Sequence, residues 1–389
     1  MEEKREVYLD NSATTKPCKE AVEAVLNAMT FDYGNPSSLH RKGVEAEKIV
    51  RHASETLAGI LKTDPGTIFY TSGASESNNW ALFGTALANK RRGKHIVISP
   101  IEHAAVSAPA KTLEEMGFEI TVLSVDAHGH IDLEELKNAI RKDTILVSVM
   151  YVNNEIGTVE PIRQLASLIH SVNPDTYFHV DAVQAFGKFF IHPKREGIDL
   201  MSASSHKFFG PKGAGFLYID PRVRIKPLIY GGGQQNDMRS GTDNVPGIAG
   251  MAAAAERVYS TLKIDREKIF AMKKKLAHGI EELGDVRING DPDLEAAAPH
   301  ILNVSFLGIR SEVMLHTLED KGIYISAGSA CSSHKRQGSA TLNAIGCSQA
   351  EKESAVRFSL SSANTPEEID YTLEVLNEAV PKLRRYMRY

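Results

Sequence analysis

Short apolar runs alternate with longer amphipathic segments between residues 67 and 219 of the chain. The apolar runs predict seven strands, at residues 67–70, 95–99, 120–125, 145–150, 177–180, 200–203 and 214–219. Helical periodicity lies between most of them, at residues 75–89, 104–116, 133–140 and 162–171. Because the strands are apolar almost throughout, we expect them to be buried on both faces. The alternation therefore predicts an α/β fold with a mostly parallel seven-stranded sheet between helices.

The flanking segments complete the predicted architecture. Two helices are expected before this region, at residues 20–29 and about 44–61. Beyond it, two successive helices are expected at residues 246–262 and about 266–283. Strands at residues 302–306, 324–326 and 354–359, with a last helix at 367–386, predict a smaller α+β domain. We expect residues 16–260 to form the large domain, and residues 1–15 with 261–389 to form the small one.

Composition and charge restrict the class of protein. A chain of 389 residues suits one large domain plus a second, and 42% hydrophobic with 24% charged residues is typical of a soluble globular protein. A net charge of -4 argues against direct nucleic-acid binding. No apolar run approaches the length of a membrane span, and the charged start lacks the core of a signal peptide. Cys18, Cys331 and Cys347 are too widely spaced to suggest disulfides or a metal site, so we expect a reducing cytoplasm.

A lysine follows one of the buried strands. Lys207 comes after the strand at residues 200–203, between small hydroxyl residues and two phenylalanines. Most lysines lie on a solvated surface. A partly desolvated lysine is more often neutral, however, and a neutral amine can form a Schiff base with an aldehyde. Parallel sheets place their sites at the carboxyl ends of the strands, so the other strand ends decide between these interpretations.

An aspartate ends the neighbouring strand. Asp181 follows the apolar run at residues 177–180, where a buried carboxylate needs a cationic partner. A protonated pyridine nitrogen would serve, and so would a salt bridge or a helix cap. Gln184, three residues further on, could direct a donor at the same ring.

Two other segments suit a phosphate group. Ala74 and Ser75 lie where a strand passes into a helix, and free N–H groups at a helix N-terminus attract anions. An ordinary helix cap is the alternative. Thr242 lies in a glycine-rich loop that offers a further hydroxyl group. Neither the dinucleotide glycine motif nor a phosphate loop of the GKS/T type is present, so any phosphate bound here would belong to a different ligand.

Three more polar residues occupy strand ends or a strand interior. His103 could stack on a flat ligand or transfer protons, although a lone histidine is often structural. Asn154 belongs to a pair of amides suited to a carboxylate or phenolate, or to a turn. Arg357 interrupts an apolar strand and invites a bidentate carboxylate partner, either a ligand or an internal acid.

The thiol of Cys331 has a distinctive sequence setting. Small residues at 326–333 surround it, and the basic residues 334–336 follow. An electropositive setting favours the thiolate, which is the nucleophilic form. The alternative is an ordinary buried cysteine. Taken together, a Schiff-base lysine, an acid for a pyridine nitrogen, a stacking histidine, phosphate donors and a carboxylate-binding arginine fit pyridoxal phosphate.

On these residues the chain resembles the cysteine desulfurases, within the class V, fold type I pyridoxal-phosphate enzymes. The resemblance covers essentially the whole chain. It is carried by residues 8–15, 34–38, 72–79, 102–103, 150–157, 181–184, 204–207, 239–242, 329–332 and 357–360.

The resemblance implies a role for each candidate residue. Lys207 would bind the cofactor aldehyde, Asp181 the pyridine nitrogen and Gln184 the phenolic oxygen, while His103 would stack on the ring. The phosphate would be held by Ala74, Ser75, Ser204 and His206, with Thr242 supplied by the other subunit of a homodimer. Asn154 would contact the cofactor and, with Arg357, bind the carboxylate of the substrate. Cys331 would accept the sulfur.

The implied reaction converts L-cysteine to L-alanine and leaves a persulfide on Cys331. An acceptor protein then collects the sulfur, either a scaffold for iron–sulfur clusters or a tRNA-thiolation enzyme. The alternatives are a selenocysteine lyase or another lyase or aminotransferase of this fold, and a binding protein without activity. An aminotransferase has no use for Cys331, and Lys207, Asp181 and His103 argue against an inactive protein.

The chain departs from the family pattern at several places. Ser12 stands where asparagine is commoner, Ser75 replaces the more usual threonine, and Gln235 replaces a common acidic residue. The iron–sulfur branch carries a C-terminal extension that helps dock its scaffold. This chain ends at Tyr389, soon after the last predicted helix, so we expect an acceptor other than the standard scaffold to be a serious alternative.

Overall fold

The computed structural model describes residues 5–327 and 338–386. Its strands in these ranges are β1 (Val7–Tyr8), β2 (Ile68–Thr71), β3 (His95–Ile98), β4 (Glu119–Val122), β5 (Thr144–Met150), β6 (Tyr177–Asp181), β7 (Leu200–Ser204), β8 (Gly215–Ile219), β9 (Val286–Asn289), β10 (Ile301–Phe306), β11 (Ile323–Tyr324), β12 (Ser326–Ala327) and β13 (Ala355–Ser359).

The helices in the same ranges are α1 (Lys19–Thr30), α2 (Arg41–Leu61), α3 (Ala74–Asn79), α4 (Thr85–Asn89), α5 (Ala104–Glu115), α6 (Leu133–Ala139), α7 (Ile162–Val172), α8 (Pro193–Glu196), α9 (Val245–Glu281), α10 (Ser311–Glu319), α11 (Ala340–Ala344), α12 (Gln349–Glu353) and α13 (Pro366–Tyr386). A π-helical turn, Trp80–Gly84, joins α3 to α4, and short 3₁₀ turns lie at Pro65–Thr67 and Ser205–Lys207.

The large sheet has seven strands in the order β2-β8-β7-β6-β5-β3-β4. Only β8 runs against the others, pairing antiparallel with β2 and β7. The four central pairings from β7 to β4 are parallel. Strand β5 is buried at every residue, which fits its apolar run, whereas the edge strand β4 is not. The predicted mostly parallel seven-stranded sheet is confirmed, and its carboxyl ends converge on one edge.

One helix differs from the sequence prediction. The two helices expected at residues 246–262 and 266–283 are a single helix, α9, of 37 residues. No proline or glycine interrupts the polar stretch between them, so the helical hydrogen bonds continue through it. The first part of α9 contributes Met251 and Leu262 to the core beneath the large sheet. Its last part contributes Met272 and Leu276 to a second core, so α9 joins the two.

The second core lies against a four-stranded antiparallel sheet in the order β12-β13-β10-β9. The first residues of the chain also belong here, because β1 pairs parallel with β11. Strand β9 and helices α10, α11 and α12 were not predicted from the sequence. Strand β9 is only partly buried, and the three helices are nine residues or shorter, so their apolar patterns are weak.

The N-terminal segment connects the two sheets at the site. Leu9 accepts a hydrogen bond at its carbonyl from the Ser359 N–H at 2.7 Å, and Asp10 bridges to the end of β13. The chain then turns towards the carboxyl ends of β6 and β7. Within the described ranges, no helix is both long and apolar enough to cross a membrane.

Candidate active site

Lys207 lies in a short turn beyond the end of β7. Its Nζ donates hydrogen bonds to the carbonyl oxygens of Ser12 at 2.6 Å and Ala13 at 2.8 Å. The preceding carbonyl, that of His206, accepts from the backbone N–H and the hydroxyl of Thr15. The N-terminal segment therefore fixes both the backbone and the amine of this lysine.

Asp181 is the last residue of β6 and is 4% exposed. Its Oδ2 accepts from Asn78 Nδ2 at 2.7 Å, and its Oδ1 accepts from the Val183 N–H at 3.0 Å. Glu102 lies in the same region, and burial, followed by the charge of Asp181, raises its pKa well above the ordinary value. The environment therefore favours a protonated Glu102 beside Asp181.

Gln184 and Lys207 donate hydrogen bonds to the same carbonyl oxygen. Gln184 Nε2 donates to the Ser12 carbonyl oxygen at 3.0 Å, the same oxygen that Lys207 contacts. Its Oε1 lies 3.3 Å from Nε2 of the buried His300. The hydroxyl of Ser12 is buried and has no hydrogen-bond partner among the described residues. These contacts bring Gln184, Lys207 and Ser12 together at the ends of β6 and β7.

The start of α3 lies beside the end of β7. Gly73 precedes the helix with φ of +147°, and a Cβ there would lie 3.5 Å from Ser204 Oγ. Ala74 and Ser75 are the first residues of α3, so their N–H groups belong to its first turn. These are the donors that the sequence predicted for a phosphate, and the buried Ser204 lies against them.

His206 lies in the same turn as Lys207. Its Nδ1 is 3.2 Å from Thr14 Oγ1. Burial, followed by the charges of Lys207 and Lys212, lowers the pKa of His206 to about 4. The imidazole is therefore neutral at neutral pH, and it can still offer a hydrogen bond.

Arg357 lies in β13 and is 6% exposed. Its Nη1 donates to the carbonyl oxygen of Asn154 at 2.8 Å, and its Nη2 pairs with Asp10 Oδ1 at 2.8 Å. Its Nε is buried and has no partner within the described residues. Asp10 is therefore the internal acid that the sequence left open, and the two hydrogen bonds leave the Nε–H unused.

His103 and Thr242 are both exposed. His103 caps α5, since its Nδ1 accepts from the Ala105 N–H at 3.0 Å. Thr242 follows a loop that is tied to α3 by an ion pair of 2.8 Å between Arg239 and Glu76. Cys331 lies outside the described residues.

Sequence reasoning assigned no role to several residues of the site. Asn78 holds Asp181, Asp10 holds Arg357, and the carbonyl of Ser12 receives both Lys207 and Gln184. In the sequence, the only indication of a role was that these residues lie in segments 8–15 and 72–79, which carry the family resemblance. A backbone carbonyl carries no sequence signature, so the part played by Ser12 could not have been inferred.

Comparisons with known proteins agree with this geometry. The family model "Aminotransferase class-V" matches residues 7–372. "Cysteine desulfurase IscS" of Clostridium botulinum is 44% identical over 98% of this chain and 96% of its own length. The solved "NIFS-LIKE PROTEIN" is 38% identical with a TM-score of 0.92, covering 97% of this chain and 100% of that one. The structure titled "SspA in complex with cysteine" is 33% identical with a TM-score of 0.80, over 92% and 100% of the two chains.

The chain therefore belongs to the class-V aminotransferase family, and within that family to the cysteine desulfurases. Its cofactor is pyridoxal phosphate. The described residues fit this group: the orphaned Ser12 hydroxyl, the buried Asp181 carboxylate and the free first turn of α3 are polar groups that a phosphorylated pyridine would satisfy.

Proposed function

We propose that this protein removes the sulfur atom from L-cysteine, releases L-alanine and passes the sulfur through Cys331 to an acceptor protein. The observation that carries the proposal is the meeting of Lys207, Gln184 and the N-terminal segment beside the buried Asp181, with Arg357 joined to the same segment. A relative that has been solved in complex with cysteine supports the choice of substrate.

Pyridoxal phosphate, when bound, supplies an electron sink that weakens bonds to the substrate carbons. We assign its pyridine nitrogen to Asp181 and its phenolic oxygen to Gln184, with His103 stacked on the ring and Asn154 beside it. We assign its phosphate to the first turn of α3, at Ala74 and Ser75, and to Ser204 and His206. A neutral His206 supports this assignment as a hydrogen-bond donor.

The side chains of this chain then carry the steps of the reaction. Arg357 and Asn154 bind the carboxylate of L-cysteine, and the unpartnered Nε of Arg357 supports this role. Lys207 takes the proton from the substrate carbon that bears the carboxylate, and two carbonyl oxygens hold its amine at the site. The Cys331 thiolate attacks the substrate sulfur: a sulfur–sulfur bond forms as the carbon–sulfur bond breaks, and the carbon takes up a proton to give alanine.

The Cys331→Ala and Lys207→Ala variants test the proposal. We expect Lys207→Ala to lose the visible absorbance of the bound cofactor and the formation of alanine. We expect Cys331→Ala to keep the absorbance but to form no persulfide, which mass spectrometry of the intact protein detects. A Cys331→Ala variant that still consumes cysteine at the full rate would contradict the assignment.

We also propose a homodimer in which Thr242 completes the phosphate site of the other subunit. Large apolar side chains are exposed on α1 and just beyond it, which supports an interface there: Leu26, Met29, Phe31, Tyr33 and Leu39. Light scattering coupled to gel filtration measures the mass. Replacing Leu26 and Met29 with glutamate should yield monomers that bind the cofactor more weakly, whereas unchanged mass would exclude this interface.

The acceptor is either an iron–sulfur scaffold or a tRNA-thiolation enzyme. Incubation with labelled cysteine and each candidate acceptor identifies the one that gains the sulfur.

Two further proposals concern the location and the domains of the protein. A thiol that forms a persulfide needs reducing surroundings, which supports a cytoplasmic location. The two separate apolar cores, joined by α9, support the division of the chain near residue 260.

A further inference from the structure

A second lysine lies directly behind Lys207. Lys188 is 6% exposed, and its Nζ donates a hydrogen bond to the backbone carbonyl oxygen of Lys207 at 2.7 Å. Among the described residues, Lys188 forms no ion pair with a carboxylate, although Asp265 lines the same cavity. Burying an ammonium group without a counter-charge is unfavourable. An apolar side chain of similar length would fill this space without that penalty, so the lysine needs another explanation.

The backbone around Lys188 is shaped to reach the turn. Gly187 has φ of +79°, and a Cβ at this position would lie 2.7 Å from the Cβ of Phe208. Phe208 immediately follows Lys207, so the absence of a side chain at Gly187 lets the two segments touch. The Gly187 N–H is held by the hydroxyl of Tyr259 at 3.2 Å, and the Lys188 N–H by the Ala185 carbonyl at 2.9 Å. The donor of Lys188 is therefore held in place behind Lys207.

The turn that Lys188 contacts is strained. Phe209 has φ of +65°, a conformation that bulky residues rarely adopt. Thr15 holds the His206 carbonyl and the Phe209 N–H, and Lys188 holds the Lys207 carbonyl between them. Removing the Lys188 contact would take away the hydrogen bond that holds the carbonyl at the centre of this turn.

Charged groups of both signs lie near Lys188, because Asp265 and Arg266 line the cavity beside it. Burial, followed by the charge of Lys207, lowers the pKa of Lys188 to about 7. A neutral amine still donates hydrogen bonds, so Lys188 can hold the Lys207 carbonyl in either protonation state.

We propose that Lys188 is a positioning residue for the reaction: its hydrogen bond to the Lys207 carbonyl fixes the turn that presents the Lys207 amine. The role rests on the proposed function of Lys207 as the lysine that binds the cofactor and moves the proton. It requires a donor at the end of the Lys188 side chain, which substitutions can remove or keep.

The test compares four variants of the full chain. Lys188→Met removes the donor, Lys188→Gln places a shorter side chain there, and Lys188→Arg keeps a long side chain with donors. Lys273→Met is the matched control, since Lys273 is also buried and donates to a backbone carbonyl, that of Ala298, at 2.8 Å. In the cofactor-free protein, trace acylation followed by peptide mass spectrometry reports how readily the Lys207 amine reacts relative to the other lysines.

We expect Lys188→Met to change the relative labelling of Lys207 about threefold, because the carbonyl at the centre of the turn loses its donor. Lys188→Arg and Lys273→Met should keep the wild-type labelling. In the holoenzyme, kcat for cysteine should fall about tenfold in Lys188→Met with KM within about twofold. Lys188→Gln gives the same comparison if Lys188→Met does not fold.

Two results would overturn the proposal. One is a Lys207 labelling profile that is unchanged in both Lys188→Met and Lys188→Gln. The other is a loss of kcat in Lys188→Met no larger than in Lys273→Met, which would mean that Lys188 acts only through stability. If wild-type protein forms no alanine from cysteine, the proposed function fails, whereas the labelling experiment still decides the role of Lys188.

Discussion

Arg357 and Asp10 form an ion pair of 2.8 Å that joins β13 to the N-terminal segment. The arginine is buried and the aspartate is partly exposed, with 22% of its side chain accessible. The pair places the arginine at the site while leaving its Nε without a partner in the described residues. A carboxylate substrate would therefore meet a guanidinium whose orientation is already set.

Replacing Arg357 with lysine should weaken substrate binding more than chemistry. Lysine keeps the positive charge but loses the planar fork that grips a carboxylate at two points. We expect KM for cysteine to rise about tenfold, which corresponds to roughly 1.4 kcal/mol, with kcat within about threefold. Steady-state assays of alanine formation measure both. Arg287 in β9 forms an ion pair with Glu351 of α12. The Arg287→Lys variant is therefore the control, and it should leave KM unchanged.

Replacing Asp10 with asparagine should make stability depend on the ligand. The substitution removes the carboxylate that is paired with the buried Arg357, so we expect a loss of about 1–3 kcal/mol in the absence of ligand. A bound carboxylate would restore the counter-charge. Differential scanning calorimetry should therefore show a larger rise in Tm with added L-alanine for Asp10→Asn than for wild type. Equal rises would show that the ligand carboxylate does not reach Arg357.

Replacing Gly187 with alanine should disturb the turn that holds Lys207. The new Cβ would lie 2.7 Å from Phe208 Cβ, in addition to the strain of a positive φ. Gly213→Ala is the matched control, because Gly213 has a similar φ of +76° with nothing within 4 Å. We expect Gly213→Ala to cost about 1 kcal/mol and Gly187→Ala about 1–3 kcal/mol more. Urea unfolding measures the difference, and similar costs for the two variants would rule out the clash.

Glu160 should make the stability of the protein fall as the pH rises. Burial raises the pKa of this carboxyl to about 8, from an ordinary value of 4.5. The folded state then binds a proton that the unfolded state has released, so stability declines between about pH 4.5 and 8. Glu160→Gln removes this contribution, and its stability relative to wild type should increase across that window by a few kcal/mol. Parallel curves from unfolding at pH 5, 6.5 and 8 would contradict the pKa.

Much of the fold was readable from the chain because buried strands leave a strong apolar signal. The run at residues 145–150 predicted β5, which is buried throughout. The break predicted within α9 was wrong, since a short polar stretch such as Lys263 to Asp265 marks an exposed turn of helix as readily as a loop. Strand β9 was missed because only its last residue is fully buried.

The sequence by itself determined the class of fold and the chemistry of the cofactor, and it marked Lys207 and Asp181 as candidate site residues at the ends of two strands. Those conclusions depend on residue type and on order along the chain, which are local properties. Only the tertiary structure decided that Asp10 pairs with Arg357, that Lys207 and Gln184 share the Ser12 carbonyl, and that Lys188 lies behind Lys207. These contacts join residues far apart in the chain, and two of them end on backbone oxygens that every residue possesses. Packing, and not residue type, selects which oxygen is used.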